Sequence, residues 1–359
     1  MRPVWNKLMG SVSKLTIKDV AKALNVSTAT ISNAFNRPDQ LSIQLRKKII
    51  EQCKLLGYSG PNNGLKNRRN QRSGIVGVLL SDGLSQSMID PVDSQFLSGV
   101  GKVLDQQGYH CLMLQSLDKI DVLQQRSLET LVDGIIVYGM MRRPSSYQRL
   151  LTQHKPLVTV DFTLDSFPSV TIDNLRGARN AAMHALRHGH QRVAIIGLRV
   201  VLDECVCRVT EERVLNLASS FGMQRLSGYQ EALQEVGIAL DDVPVWSMPE
   251  NSHRQAYPLV YDILSSLQPT LLLCMSDTIA LAAMQAASAL GLSVPQDLHI
   301  VGFDGIPLDE NIRPSLTTVY QQSVEKGQAA ARVLLGQKDQ QHTVLDTQLI
   351  VRESCPYTA

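Results

Sequence analysis

From Gly74 onward, short apolar runs alternate with amphipathic stretches, and this alternation restricts the fold more than any other feature of the sequence. IVGVLL at 75–80 is a continuous apolar run, the pattern of a strand covered on both faces. The periodicity then predicts a helix over 93–107, a strand over 110–115, a helix over 122–132 and a strand over 134–139. A short helix at 147–151, a strand at 156–161, a helix at 174–188 and a strand at 192–197 follow. Helices are expected over 225–236, about 252–267, 277–290 and 323–335, with strands over 270–275, 299–303, 316–320 and 347–353. Regular β–α alternation means parallel sheets joined by right-handed crossovers. So many strands divide better between two sheets than within one, and the fold class is α/β.

The chain has 359 residues, enough for a small domain beside a large one. The small one is legible in TIKDVAKALNVSTATISNAFN, residues 16–36. Thr16 caps a first helix, with Asp19 closing a capping box, and Ile17, Val20, Ala21 and Leu24 share its buried face. Asn25 suits the left-handed residue that ends the helix. Ser27 caps a second helix with Ala29, Ile31, Ala34 and Phe35 at apolar positions. Its other face carries Thr28, Thr30, Ser32, Asn33 and Asn36, small hydrogen-bonding side chains with no acid among them. Such a face fits a helix in a DNA major groove. A third helix opens at Ser42, with Leu45, Ile49, Ile50 and Cys53 inward and Arg46, Lys47 and Lys48 outward. An ordinary helical hairpin has the same apolar spacing, so charge must separate the two readings.

The net charge of +2 conceals an asymmetry. Residues 1–73 hold fourteen Lys and Arg against Asp19, Asp39 and Glu51, a balance of +11, and the remainder carries −9. A basic head on an acidic body is the footprint of nucleic-acid binding by the head alone. Residues 57–73, GYSGPNNGLKNRRNQRS, are too polar to fold by themselves and form a linker. Residues 1–15 are expected to be a disordered leader.

Catalytic signatures are missing. Neither G-x-x-x-x-G-K-[ST] nor G-x-G-x-x-G occurs, and no Ser/His/Asp or Cys/His set stands out. The six cysteines are scattered, with only Cys205 and Cys207 close together, and read as reduced thiols. His184, His188 and His190 lie on or after one helix and read as surface residues; H-x-x-x-H at 184 and 188 could bind a metal, but without a third ligand a solvated face is the favoured reading. No run reaches membrane-spanning length and no signal peptide is present, which argues against a freestanding binding protein for uptake. Polar residues gather instead at the carboxyl ends of expected strands, where ligands of parallel α/β sheets bind: Asp82, Asp161, Ser276 with Asp277, and Asp304. Asp277 is expected to cap the following helix.

Together these features resemble the LacI/GalR family of bacterial transcription regulators. The resemblance rests on IKDVAKALNVSTATISNAFN, LGY at 56–58, RLSGY at 225–229, MSDTIALAAM at 275–284, VPQDLHIVGFDG at 294–305 and PSLTTVYQ at 314–321, in the family's order. It implies a three-helix helix–turn–helix head over 16–58, a hinge linker over 59–73 and a periplasmic-binding-protein-like core of two doubly wound parallel-sheet lobes. These lobes would comprise 74–172 with 322–341, and 173–321 with 342–359. It further implies a cytoplasmic, nucleoid-associated homodimer on double-stranded, pseudo-palindromic operator DNA, repressing transcription under control of a small molecule in the interlobe cleft. No enzymatic activity, cofactor, metal or membrane association is implied.

Residue by residue, the resemblance puts Thr28, Ala29 and Asn33 at base-reading positions and Thr16, Thr30, Ser32 and Asn36 at phosphate-contacting ones. Asp82, Asp161, Arg225, Ser276, Asp304 and Gln321 fall at the effector cleft, where a sugar or nucleoside suits the side chains. Arg225 opens its helix and has the fork for bidentate contacts, although a salt bridge across the lobes would use it equally. Two departures stand out. The hinge position of the family's minor-groove leucine holds Arg68, with Leu65 the nearest substitute. Between strand 192–197 and Arg225, the stretch 198–224 is far longer than in typical members. It serves either as a lid, contacting the effector through Arg208, Glu211 or Arg213, or as a surface excursion. The competing function is an enzyme with a fused DNA-binding head, such as a sugar-kinase-like regulator.

Overall fold

The computed structural model describes residues 16–37, 40–56, 73–114, 131–139, 155–164, 167–201, 205–209, 220–308, 312–338 and 341–358. The leader, the hinge positions Leu65 and Arg68, the helix expected at 147–151, most of that expected at 122–132, and Glu211 and Arg213 lie outside them. Two compact units result, residues 1–72 and 73–359.

In the first unit, α1 (Ile17–Ala23), α2 (Thr28–Asn36) and α3 (Ile43–Leu55) close around Val20, Ala21, Ile31, Ala34, Ile49 and Cys53. Local chemistry fixes both turns. Thr16 and Asp19 form the full capping box on α1, Asn25 takes φ 51°, and Ser27 accepts from the Thr30 N–H at 3.0 Å. One inward assignment needs correction. Leu45 is exposed, because α3 buries a narrower stripe than its apolar residues suggest, and Ala29 is exposed on α2. Arg46, expected outward, turns its Nε to the Ala34 carbonyl at 3.1 Å, neutralising the carboxyl end of α2.

The second unit holds two sheets. The first has the order β12–β5–β4–β3–β1–β2 and is parallel throughout: β1 (Ile75–Leu80), β2 (His110–Leu114), β3 (Gly134–Tyr138), β4 (Leu157–Val160), β5 (Ser169–Ile172) and β12 (His342–Leu345). The second runs β10–β9–β6–β8–β7: β6 (Val193–Leu198), β7 (Cys207–Arg208), β8 (Val245–Met248), β9 (Leu271–Cys274) and β10 (His299–Val301). Only β7 is antiparallel to its neighbour there. Helices α4 (Leu84–Ile89), α5 (Pro91–Gln107) and α10 (Ser323–Leu334) serve the first sheet. Helices α6 (Asn174–Leu186), α7 (Phe221–Glu235), α8 (His253–Leu267) and α9 (Asp277–Ala289) serve the second. A ribbon of β11 (Thr318–Tyr320) and β13 (Gln348–Ile350) stands beside the second sheet, with Thr317 bridged to Val301 and Tyr320 to Asp304.

The β–α alternation is as expected, with local differences. The short strands β5, β7, β8 and β12 and the short helix α4 are additional. Pairing of β12 with β5 carries the first lobe past residue 341, where the sequence reading had ended it. Helix α7 starts at Phe221, so Arg225 sits inside it rather than opening it. The cap of α9 is Ser276, and Asp277 instead accepts from the Ile306 N–H and the Thr318 hydroxyl, bracing the loop after β10. Burial lifts the Asp277 carboxyl to about 7, with those hydrogen bonds opposing the rise.

Glycine sets the approach of α6 and α7. A Cβ on Gly228 would stand 2.2 Å from the Leu175 carbonyl oxygen, a backbone atom that cannot move alone. Gly228→Ala should therefore cost about 1–3 kcal/mol, read as a lower urea midpoint, by forcing apart the helices that carry Asn174, Phe221 and Arg225. An unchanged midpoint would mean that the helices slide without loss.

Candidate functional site

Each sheet reverses strand order at one point, between β1 and β3 in the first and between β6 and β9 in the second. Ligands of doubly wound sheets bind at such points, beyond the carboxyl ends of the strands. Here the two points face one cleft. The first lobe contributes Ser81, Asp82, Asp90, Val92, Asp93, Tyr138, Gly139 and Asp161 to its lining. The second contributes Leu198, Arg199, Phe221, Arg225, Asn251 and Asp304, and Gln321 joins from the crossover after β11. Three of these, Asp161 (φ 65°), Arg199 (φ 53°) and Asp304 (φ 125°), have left-handed backbone without being glycine. Such conformations persist where the surroundings over-determine them, and here they aim side chains from strand ends into the cleft.

A continuous polar chain forms the cleft floor. The Arg225 Nε donates to Asn174 Oδ1 at 2.9 Å, and its Nη1 donates to the Met275 carbonyl and to Asp304 Oδ1 at 3.2 Å. Its guanidinium lies 3.6 Å from the Phe303 ring centroid and 5.4 Å from that of Phe221. Asp304 Oδ1 also accepts from Gln321 Nε2 at 2.8 Å. The Gln321 Oε1 accepts in turn from Lys326 Nζ at 3.0 Å. Lys326, fully buried, donates on to both Asp161 oxygens at 2.7 and 3.0 Å. One amide thus offers its donor to a carboxylate of one lobe and its acceptor to an ammonium of the other. Burial pushes the Asp304 carboxyl well above the usual carboxylate range, and the charge of Arg225 opposes that rise.

The cleft mouth is bridged by two contacts between lobes: Arg199 to Asp82 at 2.6 Å, and Asn251 Nδ2 to Asp90 Oδ2 at 3.2 Å. Asp90 caps α5 through the Val92 N–H at 2.8 Å. Three residues along that helix, Asp93 is lifted to about 7 by burial and then by the neighbouring charge of Asp90. An unfolded Asp titrates near 4. Between about pH 4 and pH 7, folded Asp93 therefore keeps a proton that the unfolded chain has released, and stability falls as pH rises. Asp93→Asn should flatten that slope, by on the order of 1 kcal/mol per pH unit, with the gain over wild type largest above pH 7. Thermal melts from pH 4 to 8 check this, and parallel profiles would place the shifted group elsewhere.

Of the residues selected from sequence, Asp82, Asp161, Arg225, Asp304 and Gln321 come together in this cleft. Ser276 does not line it. Its hydroxyl caps α9 and donates to Asn251 Oδ1 at 2.7 Å, so it holds a lining residue. Arg225 pairs within its own lobe, with Asp304, and Arg199 makes the contact across the lobes. Sequence reasoning missed Lys326, Arg199, Asn251, Asn174, Asp90, Asp93, Tyr138 and Phe221. Phe221 closes the long 198–224 stretch and brings an aromatic ring to the cleft, whereas Arg208 is exposed on the edge strand β7.

On the first unit, Thr28 and Ala29 are exposed, and Thr30, Ser32 and Asn33 are half-buried. The Thr30 hydroxyl lies 2.8 Å from that of Ser27, and the Thr16 hydroxyl donates to Asp19. Asn36 closes α2. Lys18, Lys22, Arg37, Lys47 and Lys48 are exposed around these residues, and α2 carries no acid in its first turn.

Residues 16–62 match the family model of bacterial regulatory proteins, lacI family, and residues 182–355 match a periplasmic binding protein-like domain. An HTH-type transcriptional regulator of Mycobacterium tuberculosis is 32% identical over 333 residues, 90% of each chain. The HTH-type transcriptional repressor CytR of Escherichia coli is 29% identical over 94% of this chain and 96% of its own. Among solved structures, the regulator CelR in complex with cellobiose is similar at TM-score 0.64 and 25% identity, covering 95% of this chain and 99% of that one. Among the described residues, no helix is long and apolar enough to cross a membrane. With a helix–turn–helix unit, a two-sheet ligand-binding unit and relatives that are regulators rather than enzymes, the chain belongs to the LacI family of bacterial transcriptional regulators.

Proposed function

We propose that the protein is a repressor that binds a pseudo-palindromic operator as a homodimer and answers to a neutral, hydroxyl-rich small molecule in the cleft. The observation that carries this reading is the chain from Asn174 through Arg225, Asp304, Gln321 and Lys326 to Asp161, which runs from one lobe to the other along the ligand space. Carboxylates accept from hydroxyls and the guanidinium donates to them, while the Phe221 ring offers an apolar face to a sugar or nucleoside. Five aspartates line the cleft, three of them paired with Arg199, Arg225 or Lys326, and this balance disfavours an anionic ligand. Cellobiose in the related CelR supports the sugar class, and the repressor activity named for CytR supports repression.

A ligand acts here by binding one lobe arrangement better than the other, and its effect cannot exceed that difference in affinity. Arg199–Asp82 and Asn251–Asp90 are contacts that a change of lobe angle would make or break. On DNA, Thr28, Ala29 and Asn33 read base edges, and Thr16, Thr30, Ser32 and Asn36 contact phosphates. Leu65 and Arg68 belong to the hinge between head and core.

Selection of bound sequences from random double-stranded DNA by the full-length protein tests this reading. The expected product is a two-fold symmetric site, and enrichment of asymmetric sites or none would contradict it. Asn33→Ala should then weaken the selected site by about 1–3 kcal/mol and relax preference at one position per half-site. An unchanged profile would remove Asn33 from the reading set.

A further inference from the structure

The histidines expected on the surface after α6 are not dispersed there. His184 is 6% exposed and His188 half-buried, and both face the backbone of residues 355–356. The Nε2 of His184 lies 2.9 Å from the Cys355 carbonyl oxygen, and that of His188 lies 2.9 Å from the Pro356 carbonyl oxygen. A carbonyl can only accept, so each ring donates from Nε2, and Nδ1 is the nitrogen left for another partner. Ring N–H groups held by backbone carbonyls are the usual outer-shell arrangement of metal-ligating histidines. The Cys355 thiol completes the group: a ring nitrogen of each histidine and the Cys355 Sγ lie within 4.8 Å of one another.

Two more histidines border the cluster. The His299 ring centroid is 4.3 Å from that of His188, and His299 Nδ1 meets His190 Nε2 at 2.6 Å. His190 Nδ1 is tied in turn to the Thr270 hydroxyl at 3.0 Å. An open surface groove lined by His188, His190 and His299 gives access from solvent. None of these residues lines the cleft.

We infer that His184, His188 and Cys355 form a binding site for a zinc-class transition-metal ion, independent of the effector cleft. Two imidazoles and a thiolate suit a borderline-soft, tetrahedral ion, with the fourth position left to water. Bonds of about 2.0–2.3 Å require the ligand atoms to close in by about 1 Å, within reach of side-chain rotation. Binding releases the Cys355 thiol proton to solvent, and the ion then cross-links the segment after β13 to the end of α6.

Titration of Co²⁺ into the reduced full-length protein, followed by Zn²⁺ displacement, tests the assignment. One cobalt per chain is expected, with a thiolate-to-cobalt charge-transfer band that Zn²⁺ removes. Cys355→Ser should abolish the band. His188→Gln, at a half-buried position that leaves the core intact, should weaken uptake at least about ten-fold. The surface pair change Cys205→Ser with Cys207→Ser should alter neither. A missing thiolate band, a band that survives in His188→Gln with undiminished affinity, or one that follows Cys205 and Cys207 would overturn the proposal.

Discussion

Lys326→Ala should destabilise the core by about 3–5 kcal/mol, the cost of breaking a buried ion pair from one side. The lysine is fully buried, and its ammonium is the shared donor of Asp161 and Gln321. Its removal strands a carboxylate at the cleft floor and leaves the Gln321 carbonyl oxygen without the donor it accepts from. Urea denaturation reads the loss directly. The double change Lys326→Met with Asp161→Asn should recover much of it, because the charges then vanish together. A loss below about 1 kcal/mol in the single variant would mean that water replaces the ammonium, and that the chain across the lobes is not a rigid relay.

Arg225→Ala should weaken ligand binding by at least about 30-fold, the lower end for truncating a buried, hydrogen-bonded charge pair. Arg225 is 4% exposed, and its guanidinium satisfies Asn174, Met275 and Asp304 while packed on Phe303. Operator affinity without ligand should be retained, since the residues proposed to read DNA belong to the other compact unit. Because the truncation also exposes Asp304 to loss of its partner, Arg225→Lys provides a folded comparison: charge kept, fork lost. Ligand binding measured by calorimetry on both variants, beside operator binding, separates site from scaffold. Normal ligand affinity in Arg225→Lys would remove the bidentate role.

Local signals made the head legible. The capping box at Thr16, the left-handed Asn25 and the Ser27 cap each depend on a few adjacent residues, and each recurs in the structure. The β–α order was legible because strands buried on both faces read as continuous apolar runs. Strands such as β7 and its neighbour β8 were not, because they are short and mixed in composition. The acids at strand ends could be found by position along the chain, but their partners could not. Arg199 meets Asp82 and Asn251 meets Asp90 across the two lobes, and nothing in their sequence neighbourhoods announces it. Lys326 did leave a trace. It shares a helical stripe with Ala330 and Val333, and a lysine on a buried stripe demands an acid. The grouping of the histidines with Cys355 was not legible, because Cys355 lies 171 residues from His184 in sequence.

Thermal unfolding of the purified full-length protein against sugars, sugar phosphates, nucleosides and purines tests the cleft assignment most directly, since a ligand that binds only the native state raises its midpoint. A selective rise is expected with a neutral hydroxyl-rich compound, little from its phosphorylated counterpart, and loss of the rise in Arg225→Lys. A rise that persists undiminished in Arg225→Lys, or that follows only anionic compounds, would contradict that assignment.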